Sequence, residues 1–532
     1  MSASGPLLHR RQLGGLAAGA LAAGALPAKA ADASTFVNGW ALPANLDPHQ
    51  IFDVPMQALM LNAYDTLYRY EGDPPKIVPW LAESHTVSDD GLQWEFKLRS
   101  GLKFHDGSPL TSEEVVYSFR RVLALALAPA GAFLKVLKPE NVTAPDPLLV
   151  RFKLETSYAP FFAAIPSICI VNPRVIKANE KDGDWGKTWL ASNGAGSGAY
   201  RIIPTGYRPL EYLDLEINDG HFLGWADNPK PVRKIAYRPT KESSTRVLAL
   251  LNGSLDCTDN ALPADQVDPI NASKIAQVVK DTIMRTYIIR MNNTKPPFNN
   301  LNARLCFAHA FNYSGFINEV LNGYATRDPY PMPDNLWGIP TDAKGYDYDL
   351  KKAKEYMAKA IAEGAPMKRP IEIHVQTENE QSVQGAQLFQ ADLAQLGINL
   401  KVVGDTWPNL TSSAAKPDST PDMWVHWVST YFVDPENWVG QMYDSQFHGT
   451  WKASAYYKND AVDALLRKAR GLVKQEDRAP LYQEAIRKIM ADSPDIWIYN
   501  SISLMGINKR VKGRRFCTVG QGSEVRWLTL DG

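Results

Sequence analysis

Features that would point to catalysis are missing from this sequence. Cysteine is scarce, with four residues in 532: Cys169, Cys257, Cys306 and Cys517. None stands in a Cys-x-x-Cys pair, and no Cys/His cluster has zinc-ligand spacing. Four cysteines allow three full disulfide pairings, and spacing does not decide between a pairing and buried free thiols. There is no Gly-x-Ser-x-Gly elbow, no His-Glu-x-x-His helix and no Walker loop. The stretch NGAGSGAY (193–200) lacks dinucleotide spacing and reads as a turn. The nine histidines are dispersed. His105-Asp106 in FHDG could form an acid–base pair, but a tight turn between a strand and a helix suits them better. No enzyme, cofactor or metal site is expected.

An excess of one charge is also missing, because 57 basic residues face 57 acidic ones. That leaves no broad basic field for nucleic acid. After residue 30 no apolar run is long enough to cross a bilayer. The first 30 residues differ. Arg10-Arg11 precede an Ala/Gly-rich apolar run from Leu13 to Leu26, and Ala28-Lys29-Ala30 follow. This is the pattern of a signal peptide. The paired arginines resemble a twin-arginine signal, although Gly14 and Gly15 stand where that signal usually has Leu and Lys. Cleavage near Ala30 would leave a soluble, slightly acidic, monomeric protein in the periplasm. No cysteine stands there to carry a lipid.

The remaining composition is ordinary, 45% hydrophobic and 21% charged, and at roughly 150 residues per domain it suggests about three domains. In LQWEFKLRSGLKF (92–104) apolar Leu92, Trp94, Phe96 and Leu98 alternate with polar residues, which predicts a strand buried on one face, then a turn and a second strand. Thr111 and Glu114 form a capping box ahead of a helix carrying Val115, Phe119 and Val122 on one face. Asp349 and Gly364 bracket an amphipathic helix. A helix before Gly397 leads into a strand at Ile398, Leu400 and Val402. Two helices lie at 459–473 and 478–490, and DIWIYN (495–500) reads as a short buried strand. Strand and helix alternate in this half, as in an α/β layer domain.

Several ordered blocks together resemble the large extracellular solute-binding proteins of ABC importers, the group with dipeptide- and oligopeptide-binding members. They include IVPWLAESHTVSDDGLQWEFKLRSGLKFHDGSPLTSEEVVYSFRRV (77–122), GAGSGAYRI, STRVLALLNGSLDC, MNNTKPPFNNLNARLCFAHAFNYSGFINEVLNGYA, YDYDLKKAKEYM and VDPENW. The resemblance spans the chain beyond the signal segment. It implies an α/β fold of two lobes closing on a ligand. Lobe I would be 31–65, 192–290 and 499–532, with an extra domain, 66–191, packed on it, and lobe II would be 291–498. Two chain crossings would form the hinge, near IIRMNNTK and IWIYNS. A permease in the inner membrane would receive the cargo. A sensor for chemotaxis or signalling would use the same fold, whereas a secreted hydrolase would need a nucleophile motif that is absent.

In peptide-binding members, the loop matching WVSTYFVDP (427–435) carries an Asp four residues before the Pro, which pairs with the peptide ammonium. Here that position is Tyr431, while Asp434 matches a separate acid that shapes the turn. A buried ammonium without its carboxylate loses about 3–5 kcal/mol, so a standard free-amine peptide is disfavoured. An oligosaccharide, an opine or an aromatic compound is the alternative to a peptide-like cargo. The candidate ligand contacts are Trp407, Trp427, Ser429, Tyr431, Tyr499, Asn500 and Phe133. Their aromatic faces would suit sugars, rings and cations alike.

Overall fold

A computed structural model describes residues 34–240, 242–377 and 379–531. The expected signal peptide, residues 1–30, lies outside them. The alternating pattern near residue 95 produces the strand Gln93–Leu98, which buries Trp94, Phe96 and Leu98. It sits in a four-stranded antiparallel sheet with Ala82–Val87, Leu149–Lys153 and Val142–Asp146. The helix Ser112–Leu125 starts at the Thr111/Glu114 capping box and buries Val115, Phe119 and Val122 in the same core. The second strand expected near 102–104 is reduced to one bridge, Lys103 to Pro109. The FHDG turn reverses the chain before a second rung can form. Here His105 Nε2 bonds the Gly198 carbonyl at 2.9 Å, and Asp106 accepts from Ser108 and Asn172. The pair is a turn lock.

A second body is built on the sheet Thr35–Asn38, Lys234–Tyr237, Tyr212–Ile217 and Tyr200–Arg208, in that order. Its glycine-rich turn is a close approach. A Cβ on Gly198 would meet backbone atoms of Ala63, Asn62 and Tyr64 at 2.5–2.6 Å.

The third body holds six strands. They are β1 (Ala276–Met291), β2 (Ala325–Arg327), β3 (Ile371–Gln376), β4 (Leu400–Asp405), β5 (Met423–Val428) and β6 (Asp495–Asn508), ordered β2-β6-β1-β5-β3-β4. The helix Glu380–Gln395 is a crossover between parallel strands β3 and β4. Gly397, at φ +75°, ends it in a conformation that glycine adopts without steric cost. Helix Leu350–Ala362, capped by Asp349, buries Ala353 and Ala360 in the same core.

Strands β1 and β6 are long, 16 and 14 residues. The expected six-residue strand at 495–500 is only the start of β6. The extension has a physical reason: Met505 and Ile507 belong to the core of the second body, whereas Ile496, Ile498, Ile289 and Met291 belong to that of the third. The two paired strands therefore run from one core into the other. Their register breaks between Thr282 and Thr286, at the passage between bodies. All four cysteines are free thiols, and Cys169, Cys257 and Cys306 are buried. Among the described residues no helix is long and apolar enough to cross a membrane.

Candidate functional site

A cavity of about 580 Å³ opens where the β1 register breaks. One wall is 260–265, from the second body, and the opposite wall comes from 319–324 and 379–384 of the third. Arg285, Trp427 and Ser501 reach it from the strands between.

Direct pairing in the sheet puts Tyr287, Trp427 and Tyr499 on one face. The Tyr287 and Tyr499 rings stack with centroids 4.7 Å apart and 9° between planes, and Trp427 lies edge-on to Tyr287 at 4.8 Å. Trp427 Nε1 donates to Tyr499 Oη at 3.2 Å, and that hydroxyl donates on to Gln381 Oε1 at 3.4 Å. Trp427 is 8% exposed and Tyr499 2%, so each presents only an edge. The Arg285 guanidinium lies 4.9 Å from the Trp427 ring centre. Asn500 is fully buried, and its Oδ1 accepts the Arg285 backbone N–H at 2.9 Å. That contact fixes the amide orientation and leaves Nδ2 without a partner.

The loop after β5 is held from both sides. Thr430 Oγ1 donates to the Met284 carbonyl, and the Thr430 carbonyl accepts from Gln57 Nε2 at 3.3 Å. The Ser429 carbonyl accepts from Asn437. Asp434 pairs with Arg478 at 2.7 and 2.8 Å and accepts the Glu436 N–H, so it shapes the turn. Tyr431 is half-buried, with its ring 5.7 Å from Phe52. Burial pushes its hydroxyl up to about 12. The Lys452 ammonium lies 4.6 Å from that ring, and burial pulls it down to about 7. Lys452 donates to the carbonyl and side-chain oxygens of Asn437 and to Gln441 Oε1, all neutral acceptors.

The structure thus brings Trp427, Ser429, Tyr431, Tyr499 and Asn500 to one crossing. Two other candidates lie elsewhere. Trp407 opens the helix Trp407–Ser413 and packs against Trp424 and Trp451, with centroids 6.0 and 5.2 Å away. Phe133 is fully buried between Phe119 and Phe161, inside the core around Gln93–Leu98. It presents no surface to the cavity because its ring is covered on all sides. Sequence reasoning passed over Arg285 and Lys452. The usable signal at Arg285 was a charge set into a strand that is otherwise buried from Ile283 to Met291. No group of three or more His, Cys, Asp or Glu able to hold a metal occurs among the described residues.

Comparison with known proteins gives this arrangement a context. Residues 76–449 match the family model of bacterial extracellular solute-binding proteins, family 5. The probable D,D-dipeptide-binding periplasmic protein of Escherichia coli (strain K12) is 29% identical over 478 residues, 88% of this chain and 89% of that protein. Heme-binding protein A of Haemophilus influenzae is 26% identical over 508 residues, 91% of this chain and 90% of its own. An ABC transporter-associated periplasmic binding protein from Helicobacter pylori, solved with the peptide STSA, superposes with a TM-score of 0.79 at 26% identity, covering 94% of this chain and 98% of that one. The two-lobed periplasmic binding protein fold and a family that binds solutes without transforming them are therefore established, and the chain belongs to the bacterial extracellular solute-binding proteins, family 5.

Proposed function

We propose that this chain is the periplasmic solute-binding component of an ABC importer. It captures a peptide-like small solute by lobe closure and hands it to an inner-membrane permease. Lobe I is 34–65, 192–290 and 499–531, lobe II is 291–498, and 66–191 is the extra domain packed on lobe I. Residues 1–30 serve as the export signal.

The observation that carries this reading is the cavity of about 580 Å³, walled by segments of both lobes where β1 and β6 pass between them. A volume of that size suits a small solute, and hinges absorb their motion at a few element ends. The relatives support a peptide-like cargo class: one is named for D,D-dipeptides and one was solved with the peptide STSA. Tyr431 favours a solute whose end at this loop is not a free ammonium, because a cation, Lys452, lies 4.6 Å from its ring. The test is a thermal-shift panel pairing free and N-acetylated peptides, followed by small-angle scattering with whatever binds. Acetylated peptides or other non-amine solutes should raise the melting temperature, and the radius of gyration should fall. Binding without compaction would refute lobe closure. A shift confined to free-amine peptides would refute the cargo assignment.

A further inference from the structure

Among the described residues Arg285 has no carboxylate partner. Two other arginines show the contrast: Arg290 of β1 faces Asp495 at 3.4 Å, and Arg514 faces Asp281 of β1 at 2.6 Å. Among the described residues no carboxylate approaches Arg285 within ion-pair distance, its Nε has no hydrogen-bond partner, and it lines the cavity. Burial depresses its pKa, and the only groups counteracting that are the hydroxyls of Tyr499 and Tyr431. A half-buried guanidinium with no carboxylate beside it is costly to keep, so its retention calls for a counter-charge that arrives from outside.

The neighbouring polar groups have the same bias. Ser501 Oγ, on the same cavity wall, is buried without a partner. At the adjacent rung Asn500 Nδ2 and Thr286 Oγ1 are also unpartnered. All of these can donate, and no unpartnered carboxylate oxygen lies among them. The cavity's acids, Asp265, Glu319 and Glu380, are exposed at its rim and reached by solvent, where salt screens their repulsion.

We infer that the cleft takes a carboxylate on Arg285, with the flat part of the solute against the Trp427 edge. This inference rests on the solute-binding reading and narrows its ligand class. A guanidinium matches a carboxylate with two parallel N–H donors, which a lysine would not reproduce.

The experiment uses probe pairs that differ only in charge: N-acetylphenylalanine against its carboxamide, and benzoate against benzamide. Binding to the mature protein is followed by calorimetry and melting temperature. The carboxylate member of each pair should bind at least about tenfold tighter, a difference lost in Arg285→Met and only partly kept in Arg285→Lys. Without any probe, Arg285→Met should melt at or above the wild-type temperature, since it relieves a half-buried charge that has no carboxylate beside it. Equal binding of both members, no binding of any probe, or a lower melting temperature for ligand-free Arg285→Met would overturn the inference. Compaction by a neutral solute would overturn it while leaving the importer reading intact.

Discussion

Lys452 and Tyr431 set the character of the loop after β5. Lys452 is 8% exposed and held by neutral oxygens, and burial brings it to about 7 from an ordinary value of about 10.4. Between those values the unfolded chain binds a proton that the folded chain has released. Stability therefore rises with pH across that window. Tyr431 stays neutral there, because burial moves its hydroxyl upward. Melting curves at pH 7, 8 and 9 should show wild type gaining on Lys452→Met as pH rises, and parallel curves would contradict the shift. The same contact predicts how an acid would behave at 431. In Tyr431→Asp the new carboxylate falls to Lys452, whose ammonium lies 4.6 Å from the present ring. Calorimetry should find no gain for free-amine peptides in that variant. A gain should appear in Tyr431→Asp/Lys452→Met, where the carboxylate is left for the ligand. Improvement in the single variant would mean that Lys452 does not govern this end of the site.

At the scale of elements, close approaches decide more than propensity does. Gly198 lets its turn lie on the chain at 62–64, and a Cβ there would meet backbone that has no side chain to move aside. Gly198→Ala should cost about 1–3 kcal/mol, the usual range for overpacking. It should lower the urea midpoint with little change in slope. Gly131→Ala, whose Cβ would meet nothing within 4 Å, is the control and should stay within about 0.5 kcal/mol of wild type. Local chemistry made much of the fold readable in advance. The Thr111/Glu114 box, the Asp349 cap, the Gly397 stop and the alternation at Trp94–Leu98 each act over a few residues. The reach of β6 was hidden, because its second half is a strand by virtue of β1 beside it and a core belonging to another body. The site was half legible for the same reason. Trp427, Tyr431 and Tyr499 stand out as aromatics in conspicuous loops and crossings. Arg285 gains its meaning only from the lack of carboxylates around it among the described residues, and Phe133 loses its exposure to Phe119 and Phe161.

For the whole molecule, contacts across the proposed lobes bias the balance between open and closed forms; Phe432 of lobe II is buried in the extra domain's core, and hydrogen bonds add to it. Across the proposed lobes Ser157 Oγ donates to the Gly471 carbonyl at 2.8 Å, and the Ala159 N–H donates to the Arg470 carbonyl at 2.9 Å. The Val433 N–H donates to Tyr70 Oη at 3.0 Å, and Gln57 reaches the Thr430 carbonyl. A typical hydrogen bond adds only about 0.5–1.5 kcal/mol net. Such a set can bias closure without locking it, which leaves the ligand to supply the remainder. Because apparent affinity scales with the fraction of binding-competent protein, loosening these contacts should weaken binding even though none of them lines the cavity. Ser157→Ala combined with Tyr70→Phe removes two of them, about 1–3 kcal/mol together, and should weaken binding by roughly tenfold. The loss should appear in the off-rate, since a closed complex must open before release. Scattering of the ligand-free variant should show a radius of gyration no smaller than that of wild type. If the double variant bound as tightly and released as slowly as wild type, these contacts would be present in both forms, and closure would have to be driven from the cavity alone.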